Sequence, residues 1–228
     1  MIDLHTHTLF SDGELLISEL IRRAEARGVR ILNVSDHADV SNLDFIVPRV
    51  VKAARELNRL GPVKIIAGVE ITHAPIEQIA ALVDEARKLG AQLVTVHGET
   101  LSEPVLPGTC RAAIEAGADI LAHPGLLTPE EAALAAKRGV CLEISARRGH
   151  SLTNGHVAMR AREAGAKLVF GTDAHSPEDL VTLEEAEKIL LGAGLSPAEV
   201  EGVWRNAEAV AVKALAHAEG LSGPAEVP

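Results

Sequence analysis

The sequence predicts an α/β protein built from seven consecutive strand–helix units. Short β-rich runs alternate with stretches whose apolar residues recur at helical spacing. Successive predicted strands begin about 30 residues apart, which is the length of a β–α–β unit. Connections of this kind are right-handed and make the strands parallel, so the units either close into a barrel or form an open doubly wound sheet.

The strands are predicted from short runs rich in Val, Ile and Leu. Seven such runs span residues 2–8, 31–37, 63–72, 92–98, 120–123, 140–146 and 167–175. No Gly-rich phosphate loop follows any of them, which leaves a dinucleotide-binding fold without support.

Helices are predicted between the strands and after the last one. In the first helix Leu16, Leu20 and Ala24 fall on one face. The clearest helical runs span residues 15–27, 47–60, 76–89, 180–191 and 197–218, and we expect the last to cover the barrel or to pack on its flank. We expect left-handed C-cap conformations at Gly28, Gly61, Gly90, Gly117, Gly139 and Gly165. A single domain is predicted over residues 1–218, followed by a frayed tail over residues 219–228.

The composition excludes several classes of protein. Hydrophobic residues make up 47% of the chain and charged residues 24%, as in a globular domain. No apolar run reaches the roughly 20 residues that cross a bilayer, and the N-terminus has no signal-peptide pattern. Two cysteines, Cys110 and Cys141, are consistent with a reducing compartment. We therefore expect a cytoplasmic protein that does not bind membranes.

The charge balance disfavours binding to extended nucleic acid. The net charge is −10, and the only aromatic residues are three Phe and one Trp. Surfaces for single-stranded nucleic acid combine basic residues with stacking aromatics, and this chain has few of either. These observations leave open a dinucleotide, or the end of a nucleic-acid strand, as a ligand.

Histidine and carboxylate side chains collect at the predicted strand ends. His5 and His7 are two residues apart, as are Asp173 and His175, so each pair lies on one face of its strand. Further residues of this type at or after strand ends are Asp12, His37, Glu70, His97 and His123. The carboxyl ends of parallel barrel strands form one rim, where sites are built. So many ionisable groups in one place are costly to bury unless metal ions hold them, so the pattern predicts a metal site.

The motifs around these residues resemble those of the PHP (polymerase and histidinol phosphatase) family of phosphoesterases. They are, in order, HTHTLFSDG at 5–13, SDH at 35–37, GVE at 68–70, VHG at 96–98, AHPG at 122–125 and GTDAH at 171–175. The resemblance implies a distorted (β/α)7 barrel with a trinuclear metal site on its C-terminal rim.

The resemblance also implies a ligand set of nine residues. The first metal would be held by His5, His7, Glu70 and Asp173; the second by His97, His123 and a bridging Glu70; the third by Asp12, His37 and His175. These nitrogen and oxygen ligands suit Zn, Mn or Fe, and they do not choose between them.

The implied activity is hydrolysis of a small phosphomonoester, as in histidinol phosphatases. A cluster of divalent ions binds phosphate and activates a water as hydroxide, so no Ser or Cys nucleophile is needed. Short loops between the units leave little sequence for a large substrate lid. In this hypothesis Glu70 and Asp173 take part in catalysis through the metals.

Other polar residues near the same rim are weaker candidates. Arg147 and Arg148 follow the sixth strand, and either can grip a phosphate through two hydrogen bonds or lie in solvent. Glu143 is placed to support a ligand histidine.

His150 or His156 is a candidate general acid or substrate contact. We expect His73 to be a loop residue, His217 to have no role and Cys141 to be a buried small hydrophobe.

Three alternative functions remain open. One is a 5′-3′ exonuclease or nucleoside-bisphosphate phosphatase of the same superfamily, which the scarcity of aromatics disfavours. Another is a metal-dependent amidohydrolase, which also uses an HxH strand, although no lysine lies at these strand ends. The third is a non-catalytic metal-binding accessory module, but such modules tend to lose ligands and this chain has all nine. The sequence does not indicate an oligomeric state.

Overall fold

Parallel strands form one sheet whose spatial order follows the chain. The computed structural model describes residues 1–220, with side chains to residue 216. The strands are β1 (Ile2–Thr6), β2 (Ile31–Val34), β3 (His37–Ala38), β4 (Lys64–Ile71), β5 (Leu93–His97), β6 (Ile120–Ala122), β7 (Cys141–Ser145) and β8 (Leu168–Gly171). Their order is β1-β2-β4-β5-β6-β7-β8, and the two-residue β3 pairs with β4.

The sheet is nearly closed into a barrel, because β1 meets the chain that follows β8. The His7 amide donates to the Ala174 carbonyl at 2.9 Å, and the Asp173 amide donates to the His5 carbonyl at 2.9 Å. The α/β barrel is therefore confirmed, and the open doubly wound sheet is not formed. These contacts also bring the two strand ends with paired site residues side by side.

Helices cover the outside of the sheet. They are α1 (Ile17–Ala26), α2 (Leu43–Leu57), α3 (Ile76–Lys88), α4 (Thr109–Glu115), α5 (Pro129–Arg138), α6 (Asn154–Ala164), α7 (Leu183–Gly192) and α8 (Pro197–Gly220). Their apolar faces pack on the sheet through residues such as Leu20, Val50 and Val83, each at most 1% exposed. This arrangement buries both faces of the strands.

Two details differ from the prediction. Helix α2 begins at Leu43 rather than at residue 47, because Leu43 and Ile46 extend its buried stripe on the N-terminal side of Pro48. The chain then leaves α2 at Leu57, so Gly61 is not at the cap and does not adopt a positive φ. The other five predicted glycines do adopt positive φ, between 69° and 100°.

The last helix closes the N-terminal end of the barrel, which is the first of the two placements left open by the sequence. Ala207, Ala211 and Ala214 of α8 pack on apolar residues near the starts of the strands. Those residues are Ile2, Ile31, Ile66, Leu93, Ile120, Cys141 and Val169. The opposite, C-terminal rim is left open for a site. Helix α8 extends to Gly220, and residues 221–228, which make up most of the predicted tail, lie outside the described residues.

Both cysteines are free and buried, as predicted for Cys141. Within residues 1–220, no helix combines the length and the hydropathy that crossing a bilayer requires.

Candidate metal centre

The C-terminal rim gathers all nine predicted ligand residues into one cluster. Strand ends supply eight of them, and the loop between β1 and α1 supplies Asp12. Six are at most 2% exposed: His5, His7, Glu70, His97, His123 and Asp173. Asp12, His37 and His175 are more accessible and lie at the mouth of the cluster.

One group of ligand atoms lies between β1, β4 and the end of β8. Atoms of His5, His7 and Glu70 lie within 4.8 Å of one another, the spacing that allows them to share an ion. Asp173 completes this group, with its Oδ1 3.2 Å from His7 Nε2 and 3.7 Å from His5 Nε2. These are the four residues predicted for the first metal.

A second group forms at the more exposed side of the rim. Asp12 Oδ1 lies 3.2 Å from His175 Nε2 and 3.6 Å from His37 Nε2. The structure adds His7 to this predicted set, since ligand atoms of all four residues lie within 4.8 Å of one another.

A third group contains His97 and His123. Glu70 faces two groups at once, because its Oε2 lies 3.5 Å from His5 Nε2 while its Oε1 lies 3.6 Å from His123 Nε2. A carboxylate in this position can bridge two ions. The structure also brings His150 into the third group, with ligand atoms of the three imidazoles within 4.8 Å of one another.

Buried polar atoms without partners provide a test of whether these residues fit metal ions. Among the described residues, buried side-chain atoms that make no hydrogen bond include His5 Nε2, both ring nitrogens of His7, Glu70 Oε1, His123 Nδ1 and Asp173 Oδ1. Burying such atoms without a partner is unfavourable, and cations would satisfy them. The residues therefore fit a cluster of divalent metals.

Backbone strain is concentrated at the same place. His123 and Asp173 have φ values of 28° and 54°, a region that residues other than glycine rarely adopt. Such strain persists where the surrounding structure compensates for it, and it is common at functional sites.

Neighbouring groups orient the ligand imidazoles. His5 Nδ1 lies 3.0 Å from Glu143 Oε2, the supporting contact predicted for Glu143. His97 Nδ1 donates to the Gly98 carbonyl at 3.0 Å, which turns its Nε2 toward the cluster. Such partners fix the tautomer and orientation of a ligand histidine.

Electrostatics keep two central imidazoles neutral, the form that binds metals. Burial lowers the pKa of His7 well below its usual value, and the nearby His37 and His5 lower it further. Burial and His97 act in the same direction on the pKa of His123. Burial alone would raise the pKa of Glu70, but His5 and His37 outweigh it and hold the pKa well below its usual value.

The structure separates the two adjacent arginines. Arg147 Nη1 donates to the Asp173 carbonyl at 3.0 Å and lies 2.5 Å from His175 Nδ1, so its guanidinium is at the rim. Arg148 is exposed and is not brought to the cluster. His156 also points elsewhere, with its Nε2 2.8 Å from the Leu127 carbonyl.

Two acidic residues near the site were not predicted as part of it. Glu103, in the loop between β5 and α4, has its Oε2 3.1 Å from both His73 Nε2 and His97 Nε2. Its hydrogen bonds with His150 and His97 hold the pKa of this carboxyl far below its usual value. Asp36, in the SDH motif, accepts hydrogen bonds from the Thr8 amide and hydroxyl and from the Ser11 hydroxyl.

Comparison with known proteins agrees with this geometry. A family profile described as the PHP domain matches residues 3–191. An uncharacterized protein of Methanocaldococcus jannaschii is 46% identical over 201 residues, covering 87% of this chain and 92% of that protein. A probable phosphatase of Edwardsiella ictaluri is 31% identical over 226 residues, covering 87% of this chain and 88% of that protein.

Two solved structures have a similar fold. Histidinol phosphate phosphatase from Lactococcus lactis, solved with Zn, L-histidinol and phosphate, has a TM-score of 0.61 at 17% identity and covers 86% of this chain and 94% of that one. A chain of archaeal ribonuclease P, solved with mature tRNA, has a TM-score of 0.74 at 16% identity. The match covers 99% of this chain and 96% of that one. At these identities the likeness extends to the fold alone. The matched family profile, over most of the chain, establishes that this protein belongs to the PHP domain family.

Proposed function

We propose that this PHP-family phosphatase hydrolyses a small phosphomonoester at a trinuclear metal site. The observation that carries the proposal is the convergence of nine ligand-type side chains, in overlapping groups, on one rim of the barrel. The phosphatase relatives and the histidinol phosphate phosphatase neighbour support the reaction class.

The proposed ligands are divided among the three groups as the family resemblance implies. His5, His7, Glu70 and Asp173 would hold the first ion, Glu70, His97 and His123 the second, and Asp12, His37 and His175 the third. When bound, divalent ions supply polarisation of phosphate oxygens and a hydroxide nucleophile at neutral pH. The mixture of imidazole and carboxylate suits Zn, Mn or Fe.

The remaining chemistry belongs to the side chains themselves. Glu70 would contact ions in two groups, because its Oε2 faces His5 and its Oε1 faces His123. Glu143 holds the His5 ring in place from the opposite side of the imidazole. Arg147, at the rim beside Asp173 and His175, contributes a fork of donors for a phosphate oxygen.

The exposure of the ligands supports a small substrate. The most accessible ligand is Asp12, whose side chain is 56% exposed, while Glu70 at the centre is fully buried. A phosphate group on a small molecule can enter from the Asp12 side. Two loops frame this entrance, residues 7–16 with Asp12 and residues 172–182 with His175.

The test is an assay of purified protein, supplemented with Zn or Mn, against a phosphomonoester, a phosphodiester and a 5′-phosphorylated oligonucleotide. We expect phosphate release from the monoester that stops on chelation and returns on adding metal. Turnover of the oligonucleotide or diester alone would favour a nuclease instead. Metal-loaded protein that hydrolyses none of the three would favour an accessory module.

A further inference from the structure

A third buried imidazole adjoins the two histidines proposed for the second ion. His150 is 4% exposed, and it lies in a short 3-10 turn that follows β7. Its ring stacks on the His123 ring with centroids 4.1 Å apart and planes inclined by 16°. The His97 ring lies 5.9 Å away, nearly perpendicular to it. The three residues have ligand atoms within 4.8 Å of one another, and all three are buried.

The His150 ring is held so that one nitrogen is directed at the cluster. Its Nδ1 lies 2.7 Å from the Thr100 hydroxyl, in the loop between β5 and α4. Its Nε2 then faces Glu103 Oε1 at 3.5 Å and Asp173 Oδ2 at 3.7 Å. One ring nitrogen is therefore engaged by the protein, as is usual for a ligand histidine, and the other is directed at carboxylates of the cluster.

The backbone beside His150 is built for this position. Gly149 has a φ of 92°, and a Cβ there would lie 2.6 Å from Ser102 Oγ. The absence of a side chain lets the segment that carries His150 approach the loop that carries Thr100. Glu103, in that same loop, places a carboxylate 3.1 Å from His97 Nε2. Two loops that are far apart in sequence thus meet over the second ion's position.

We propose that His150 is a further protein ligand of the second metal, beside His97, His123 and the bridging Glu70. The proposal rests on the trinuclear site proposed above. It makes the second position rich in imidazole, and imidazole suits Zn and Fe whereas carboxylates and water suit Mg. The second position is therefore a site for a transition-metal dication rather than for Mg.

The test compares His150→Asn with His156→Asn. His156 is the matched control, because it is a histidine of the same region whose Nε2 faces the Leu127 carbonyl instead of the cluster. Each variant is stripped with a chelator and titrated with Zn or Co, with bound metal per chain and its dissociation constant as readouts. His150→Asn should weaken the binding of one ion by at least about 10–100-fold, which is the loss typical of changing a partner that only orients a ligand. The other ions and the control should be unchanged.

A second variant covers the case in which His150→Asn does not fold. Thr100→Val keeps the imidazole but removes its hydroxyl partner, so it should weaken the same ion to a smaller extent. In cobalt-loaded protein, X-ray absorption should count one imidazole fewer per chain in His150→Asn than in the control. If His150→Asn folds and keeps both the wild-type metal affinity and the wild-type imidazole count, the proposal is wrong. If only Thr100→Val folds, an unchanged metal affinity in that variant would overturn the proposal. Failure of the wild-type protein to bind metal would instead refute the trinuclear site itself.

Discussion

Glu143 on β7 supports His5 on β1, with Oε2 of the carboxylate 3.0 Å from the imidazole Nδ1. The same carboxylate accepts a hydrogen bond from the His123 amide at 3.2 Å. A Cβ at Gly171 on β8 would lie 2.2 Å from Glu143 Oε1 and 2.5 Å from His5 Cβ, so only glycine fits between Glu143 and His5. One buried carboxylate therefore ties together three parts of the rim that lie far apart in sequence.

Replacing Glu143 with Gln should weaken metal binding without removing any proposed ligand. The amide keeps the shape of the side chain but loses the charge that orients and polarises the His5 ring. Partners of this kind typically contribute about 10–100-fold in metal affinity or activity. Metal titration of chelator-treated protein measures the change, with the exposed Glu163→Gln as the control. Wild-type affinity in Glu143→Gln would contradict an orienting role.

Glu70→Gln tests the bridge between two ions. The amide loses the charge and one anionic ligand, so turnover should fall by at least about 100-fold, the upper part of the range for outer-shell changes. The protein should remain folded, as judged by circular dichroism. Exposed Glu77→Gln on α3 is the control. Near-wild-type turnover in Glu70→Gln with full metal content would refute the bridging assignment.

Arg147 and Arg148 now form a matched pair for testing a phosphate clamp. Arg147 lies at the rim and Arg148 is exposed, so only Arg147→Ala should lower kcat/KM. The expected loss corresponds to about 1.5–3 kcal/mol, typical of a hydrogen bond to a charged group. Lys at 147 should rescue only partly, since it lacks the fork of donors. Metal content is measured in parallel, because Arg147 also contacts His175. Equal kcat/KM for wild type and Arg147→Ala would show that no clamp exists.

Asp3 should make the metal-free protein less stable as the pH rises. Burial raises the pKa of Asp3 to about 6 from 3.8, against the hydrogen bonds from Thr172. The folded state therefore holds a proton that the unfolded state has released between these values, and stability falls as the pH rises through this window. The shift corresponds to a loss of about 3 kcal/mol relative to acid pH.

Urea unfolding of wild type and Asp3→Asn measures this effect. The difference in unfolding free energy between the two proteins should change by up to about 3 kcal/mol from about pH 4 to about pH 7, in favour of the variant. Exposed Asp84→Asn should show no such trend. A pH-independent difference between Asp3→Asn and wild type would contradict the prediction.

The strand ends and their ligand residues were predictable because both follow local rules. His5 and His7 share a strand face by simple alternation, and the barrel brings them to the same rim as Asp173 and His175. The proposed division of these ligands among three metals came from the resemblance to the PHP family, because spacing alone does not give it.

The loop contacts were not predictable in the same way. Glu103 and His150 meet through loops that follow different strands, and no periodicity places them. The hydrogen-bond partners of Asp36, Thr8 and Ser11, are 28 and 25 residues away in sequence. Such contacts depend on how the loops pack over the rim, so only the folded structure reveals them.

Metal titration followed through activity tests the central claim most directly. Chelator-treated protein is titrated with Zn or Mn, and bound metal and phosphate release from a small phosphomonoester are measured on the same samples. If the site is trinuclear, the stripped protein is inactive and activity rises to a plateau at about three ions per chain. Full activity in stripped protein, or saturation with metal and no phosphate release, would contradict it.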